Sequence, residues 1–421
     1  MNSRSKADGQ PFSVELSHSR ASLLAIEEPQ VLYTLVTIRP GKEPERPPAP
    51  PLNLCIALDR STSMAGERLD TARTSVAEIL RRLRPQDHLS LVSFSDRAEI
   101  LVGAGSQESP ARVEDRLNQI QTSGGTEIFQ GLQAAMAQIH AGRSPGAIDH
   151  IILITDGQTY GDEENCRQLA EEAAQEGTEI TAVGIGGEWN DVFLDHLASR
   201  TGGEAVFIDQ VGTLAHFMRE KFHGLGQVYS DHLTLEITTN PGVILQAAFR
   251  ISPSPTPLPT QTCLHLGTLY QGSALSLLLE FLFSPLGAVP FFEVGSLTFE
   301  ARLIPENKEL QSVVTLGFPV SEEALPAPIS ATLLAAVRSV TLCQLQEKAV
   351  SEAMAGHVER ATRKLNRLAA TLLELGQSSV ANTVIGEAEQ LSQEHHLTES
   401  GQKRMKYATR SLMEPRGEVP R

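Results

Sequence analysis

Asp59, Ser61 and Ser63 stand at every second position directly after the apolar run Leu54-Cys55-Ile56-Ala57-Leu58. Alternate side chains of an extended loop point the same way, so this spacing can aim one carboxylate and two hydroxyls at a single point. Hard oxygen donors with no thiolate or imidazole suit a divalent cation that keeps octahedral oxygen geometry and retains waters or outside ligands. That description fits magnesium better than zinc. Manganese and calcium stay open on ligand types alone. Thr126 follows Gly124-Gly125 at an expected helix start, and Asp156 ends the run Ile151-Ile152-Leu153-Ile154-Thr155 before Gly157. An isolated Asp-x-Ser-x-Ser is commonly no more than a capped turn, since Asp and Ser accept readily from N–H groups at helix starts. Two further motifs in the right context make the cation site the stronger reading.

Bringing these groups together requires strands that end on one edge of one sheet, and residues 52–224 supply them. Strand 52–58 is followed by helix 69–83, which Pro85 stops, and by a hairpin of 88–94 and 98–102. Helices around 113–120 and 128–140, strand 150–155, helix 163–175, strand 179–185, helix 192–199, strand 205–208 and helix 211–223 complete the alternation. The pattern predicts an open, doubly wound α/β sheet covered by helices on both faces. Such sheets bind ligands outside the carboxyl ends of strands where the strand order reverses, and Asp59, Thr126 and Asp156 all fall at that edge.

The flanks lack helical periodicity or consist of nothing else. β-type runs at 12–16, 23–26 and 31–38 lie in residues 1–40, and residues 225–324 hold others at 233–238, 243–249, 263–269, 275–283, 291–303 and 312–318. Two β-rich stretches around one α/β unit predict a β-sandwich into which the α/β domain is inserted. Pro44, Pro47, Pro48 and Pro50 make residues 41–51 a stiff connector. Residues 325–415 carry apolar rows at helical spacing, Leu333, Val337, Val340, Leu345 and Leu365, Leu368, Leu372, Leu375. Gly356, Gly376 and Gly401 punctuate them, which predicts a C-terminal bundle of about four helices.

Asp59-x-Ser61-x-Ser63, the single Thr126 and Asp156-Gly157, in this order on this alternation, resemble the metal-ion-dependent adhesion site (MIDAS) of von Willebrand factor type A (VWA) domains. The resemblance spans about residues 52–224 and implies a Rossmann-like VWA fold. It also implies Ser61, Ser63 and Thr126 as hydroxyl ligands, with Asp59 and Asp156 binding directly or through water. One coordination position would be left to an Asp or Glu of a protein partner. Hydroxyls donate little charge, so the cation would stay electron-poor and attract that carboxylate. A helix starting after Gly66 would favour an anion at its N-terminus. The flanking β regions and helical tail are similar to bacterial intracellular members of the superfamily, and the sandwich with its insertion resembles inter-alpha-trypsin inhibitor heavy chains. The expectation is a magnesium-dependent protein-interaction module or scaffold with no enzymatic activity. A surface adhesin of the same superfamily and a metal-dependent phosphohydrolase are the alternatives. Asp59 resembles the nucleophile of haloacid-dehalogenase phosphatases by position, but Ser61 stands where that family needs Asp.

At 421 residues the chain has room for two or three domains. A net charge of -16 opposes nucleic-acid binding, because most of the surface would repel a polyanion. Cys55, Cys166, Cys263 and Cys343 lack Cys-x-x-Cys spacing and read as reduced core or helix residues. With no apolar leader in the first ten residues, they point to the cytoplasm. Region 274–294 is interrupted by Glu280, Pro285, Gly287 and Pro290, so it reads as two buried strands around a turn, without membrane insertion. Gly184-Ile185-Gly186-Gly187 is followed by Trp189 and not by another glycine, which makes it a tight turn rather than a dinucleotide loop. Trp189 is expected to pack under that loop, partner contact being the alternative. Arg360, Arg363, Lys364 and Arg367, and then Lys403, Arg404, Lys406 and Arg410, read as solvated faces, with an acidic partner or a neighbouring domain as the alternative. His395-His396 has no ligand spacing and reads as surface.

Overall fold

Strands open the chain: β1 (Phe12–His18), the short β2 (Leu23–Leu24) and β3 (Gln30–Pro40), with β1 and β3 antiparallel. The computed structural model describes residues 12–41, 50–208, 228–304, 308–323 and 328–411, apart from positions 107, 160 and 188. The prolines at 44, 47 and 48 and the helix expected at 211–223 lie outside the described residues.

β4 (Leu52–Asp59) begins the α/β domain, and every one of its residues is buried. It is followed by α1 (Glu67–Leu80), β5 (His88–Phe94), β6 (Ala98–Val102), α2 (Pro110–Gln119) and α3 (Ile128–Gly142). Then come β7 (Ile148–Thr155), α4 (Glu163–Gln175), β8 (Glu179–Ile185), α5 (Asp191–Arg200) and β9 (Ala205–Ile208). The sheet order is β6-β5-β4-β7-β8-β9, parallel except for the β5–β6 hairpin. β7 and β8 are as completely buried as β4, because α1 and α2 cover one face while α3, α4 and α5 cover the other. From β4 the chain moves outward to β5 and later returns to β7 on the opposite side, so the order reverses between β4 and β7.

Strands resume with β10 (Val228–Thr239), β11 (Val243–Ser252), β12 (Thr256–Leu258) and β13 (Cys263–Tyr270). β14 (Leu275–Phe283), β15 (Phe291–Leu303) and β16 (Lys308–Ser321) complete the set. One sheet runs β1-β3-β14-β11-β12 and the other β13-β10-β15-β16-β2, so the N-terminal strands complete the later sandwich across the inserted domain. Phe12, Val14, Leu32, Val36, Phe281, Phe283 and Phe299 share its core. β12 was not anticipated, since prolines at 253, 255, 257 and 259 mask so short an edge strand. Cys263 corrects the expectation of core cysteines: it is exposed at the start of β13, while Cys55, Cys166 and Cys343 are buried.

A buried arginine fastens the two units together. Arg250 of β11 is 3% exposed and donates to the carbonyls of Gly202, Leu266 and Gly203, the last at 2.7 Å. Gly202 (φ 77°) and Gly267 (φ 81°) meet backbone to backbone here, and a Cβ on Gly202 would stand 2.1 Å from the Gly267 nitrogen. Replacing Arg250 by Met removes the guanidinium donor from the Gly202 and Gly203 carbonyls at a cost of about 3 kcal/mol. A lower thermal midpoint, with earlier exchange of amides in β13 and the Gly202 turn, is the expected result. Unchanged exchange there would show the docking to be held by other contacts.

The tail forms α6 (Ala331–Met354), α7 (Val358–Glu374), α8 (Ser378–Glu394) and α9 (Glu399–Ser411). Ser330 caps α6 by accepting from Leu333 N–H at 3.1 Å. Gly356 (φ 79°) and Gly376 (φ 71°) close the first two helices in left-handed conformation. The third break is His395 (φ 61°) and not Gly401, which lies inside α9 where a Cβ would strike the Glu387 carboxylate. His395 and His396 are exposed. α6 lays Leu333, Ala336, Val340 and Cys343 against Leu35, Ile251 and Leu278 on the outer face of the first sheet.

α9 corrects the reading of the second basic cluster as a solvated face. Lys403 and Arg410 are buried, and only Arg404 of the four is exposed. Lys406 pairs with Asp191 and, at 2.7 Å, with Asp195; Arg410 reaches Asp195 at 2.8 Å. The neighbouring-domain alternative holds, because α9 clamps onto α5. In the first cluster Arg360, Arg363 and Arg367 are exposed and Lys364 pairs with Glu352 at 2.8 Å. No helix among the described residues is long and apolar enough to cross a membrane.

Candidate metal centre

Where strand order reverses, the carboxyl ends of β4 and β7 border the crevice in which open α/β sheets bind their ligands. Asp59 is the last residue of β4, and both its oxygens are engaged. Oδ1 accepts from the Ser61 N–H at 2.7 Å and Oδ2 from the Thr155 hydroxyl at 2.6 Å. The first bond folds the loop back, so that Ser61 Oγ lies 3.1 Å from Ser63 Oγ. Ser63 in turn donates to Asp156 Oδ1 at 2.7 Å. Thr126 comes to the same edge from the loop before α3, beside the residue that follows Asp156: a Cβ built on Gly157 would stand 3.0 Å from its Oγ1. All five residues singled out in the sequence are therefore gathered at one sheet edge, four of them buried and Ser63 exposed.

The Thr126 loop is held by the β4 loop. Ser123 N–H donates to the Arg60 carbonyl at 2.8 Å, and Thr62 donates to the Gly124 carbonyl from its N–H and its hydroxyl. Asp96, in the β5–β6 turn, accepts from Gly125 N–H at 2.7 Å. Its carboxylate sits where a Cβ on Gly124 (φ 76°) would be, so glycine is required there for both conformation and space.

Residues 53–220 match the von Willebrand factor type A domain family. This stretch of the chain is a VWA domain. Residues 331–415 match the Sll0103-like C-terminal alpha-helical domain, which α6 to α9 form. The uncharacterized protein sll0103 of Synechocystis is 29% identical over 215 residues, covering 50% of this chain and 51% of that protein. Human inter-alpha-trypsin inhibitor heavy chain H4 is 28% identical over 202 residues, covering 45% of this chain and 22% of that one. The matches thus span about half or less of the length of these curated relatives. A von Willebrand factor type A structure from Catenulispora acidiphila superposes with a TM-score of 0.76 at 16% identity, over 97% of this chain and 99% of that one. That likeness extends beyond the VWA domain to the sandwich and helical tail.

VWA domains often bind a divalent metal at a MIDAS used for protein interactions. The residues present here fit such an ion. Burial pushes the Asp59 carboxyl up to about 6, against the lowering effect of its bonds to Thr155 and Ser61, and nearby Asp156 adds to the rise. A cation would relieve this desolvated pair. Among the described residues no group of three His, Cys, Asp or Glu side chains could hold a metal, so hydroxyls must complete any cation shell at this edge. Ser61, Ser63 and Thr126 would supply them beside Asp59 and Asp156.

Thr155, Asp96 and Arg68 shape this site and were not foreseen. Thr155 adjoins Asp156 in sequence, but its role depends on β7 lying beside β4. Asp96 could have been suspected from its place in a hairpin turn. Arg68 pairs with Asp156 from the first turn of α1. Trp189 packs as expected: its Nε1 donates to the Gly186 carbonyl at 2.9 Å and its ring joins Phe207 and Tyr407 in a three-ring cluster. Gly186 (φ 76°) makes the tight turn beneath it.

Proposed function

We propose that the chain is a cytoplasmic, magnesium-dependent protein-interaction module, in which the sandwich and helices are a scaffold and a partner's Asp or Glu completes the metal shell. The observation that carries this reading is the donor set itself, two carboxylates and three hydroxyls gathered where β4 and β7 part. Neutral hydroxyls leave a bound ion electron-poor, which favours an added carboxylate, and all-oxygen donors favour magnesium over softer metals. Four unpaired thiols support a reducing compartment. Beside the site a cleft of about 870 Å³ begins at Gln158 and continues between α5, α6 and α9, offering the apolar Val192 and Met354 to a bound segment. The role is non-enzymatic: Asp59 is buried and bonded through both oxygens, a poor arrangement for a nucleophile, which also weighs against the phosphohydrolase alternative.

The test is affinity capture on the immobilised full chain in magnesium, in EDTA, and in EDTA followed by excess magnesium. A partner retained only when magnesium is present, and lost when its own carboxylate is amidated, supports the reading. Retention that ignores EDTA would place the interaction elsewhere on the molecule.

A further inference from the structure

Asp156 has two carboxylate oxygens, and both are already engaged inside the chain. Oδ1 accepts from Ser63, while Oδ2 forms an ion pair with Nη1 of Arg68, which also lies 3.4 Å from the Ser63 carbonyl. The Asp156 side chain is fully buried and that of Arg68 is 32% exposed. The guanidinium is packed in place: a Cβ on Gly186 would stand 3.2–3.3 Å from its Nη2, Nε and Cζ. The helix does not account for this cation. Arg68 is the second residue of α1, where the aligned peptide dipoles disfavour positive charge. Arginine stays protonated under all ordinary conditions, so its charge is a permanent part of the site.

We propose that Arg68 is an internal competitor of the metal for Asp156, a residue that sets the affinity of the site and ties it to the partner. This rests on the reading of Asp59, Ser61, Ser63, Thr126 and Asp156 as a cation site. A divalent ion and a guanidinium drawing on one carboxylate repel each other, and at a half-buried edge that repulsion is only partly screened. Two carboxylates, one guanidinium and one divalent ion leave a single positive charge in the crevice. An incoming Asp or Glu cancels it. Arg68 therefore holds the ion loosely until the partner arrives, and ion and partner bind with positive coupling.

Magnesium titration calorimetry on the full chain tests this with Arg68→Gln, Arg68→Met and Arg68→Lys. Gln and Met remove the charge and should bind magnesium about tenfold more tightly than the wild type. Lys restores the charge and should return the affinity to the wild-type value. Unchanged or weaker binding in Gln and Met would overturn the proposal and make Arg68 merely a brace for Asp156. Should those variants misfold by circular dichroism, the side-chain resonances of ¹⁵N-arginine in the wild type decide it. An Arg68 signal that moves as magnesium is added supports competition, and one that stays fixed rejects it. Magnesium uptake lost in Asp59→Ala but indifferent to Arg68 defeats this inference alone. Absence of any uptake by the wild type defeats the metal reading with it.

Discussion

Deleting residues 1–40 is expected to unfold the sandwich while leaving the VWA domain folded. β3 is an interior strand, paired with β1 on one side and β14 on the other. Its removal with β1 takes away Phe12, Val14, Leu16, Leu32, Leu35, Val36 and Ile38, all buried. At about 1.5–3 kcal/mol for each, the loss is on the order of 10–20 kcal/mol. A domain's net stability is only about 5–15 kcal/mol. β14 would also become an open edge, a template for aggregation. Leu35 faces α6 on the other side of the sheet, so the helical tail should lose part of its footing as well. The VWA core lies between helices on both faces of its sheet and, although it takes in Val228 and Ile304 from the later strands, it contains no residue of β1 or β3. Hydrogen exchange on the truncated chain should show protection lost across β10 to β16 and retained in β4, β7 and β8. The opposite pattern would reject the insertion architecture as the source of stability.

Asp59→Ala is expected to lower magnesium affinity by at least about a hundredfold, since loss even of a group that only orients a ligand costs ten- to a hundredfold. Its effect on folding should be modest. The Ala variant leaves the Thr155 hydroxyl and the Ser61 N–H without their acceptor, a penalty of about 2–4 kcal/mol. Removing a carboxyl whose burial already disfavours its charge offsets part of that. Asp59→Asn keeps an acceptor and should fold better than Ala while still binding magnesium poorly. Calorimetry and circular dichroism on the three proteins separate the effects. Wild-type affinity in Asp59→Ala would remove Asp59 from the ligand set and with it the geometry proposed for the site.

That Asp59, Ser61, Ser63, Thr126 and Asp156 meet at one sheet edge was legible in the sequence because each sits at a strand or helix end that local patterning marks. Leu54 to Leu58 and Ile151 to Thr155 are short continuous apolar runs of the kind that form buried strands, and the loops at the carboxyl ends of such strands in an alternating α/β chain lie at one edge. Period and composition likewise separated the sandwich, the α/β unit and the helical tail. The neighbours of those donors were decided by tertiary structure, because they depend on which strands and helices come to lie side by side. Thr155 serves Asp59 only because β7 pairs with β4, and Arg68 meets Asp156 only because α1 packs across the switch point. The second basic cluster shows the same limit from the other side. On an isolated helix Lys403, Lys406 and Arg410 read as a solvated face, and only the docking of α9, with Lys406 and Arg410 on Asp191 and Asp195 and Lys403 on the Gly187 carbonyl, turns them into a clamp. A charge pattern records the need for a partner of opposite sign, and the fold alone determines whether that partner is water or another part of the chain.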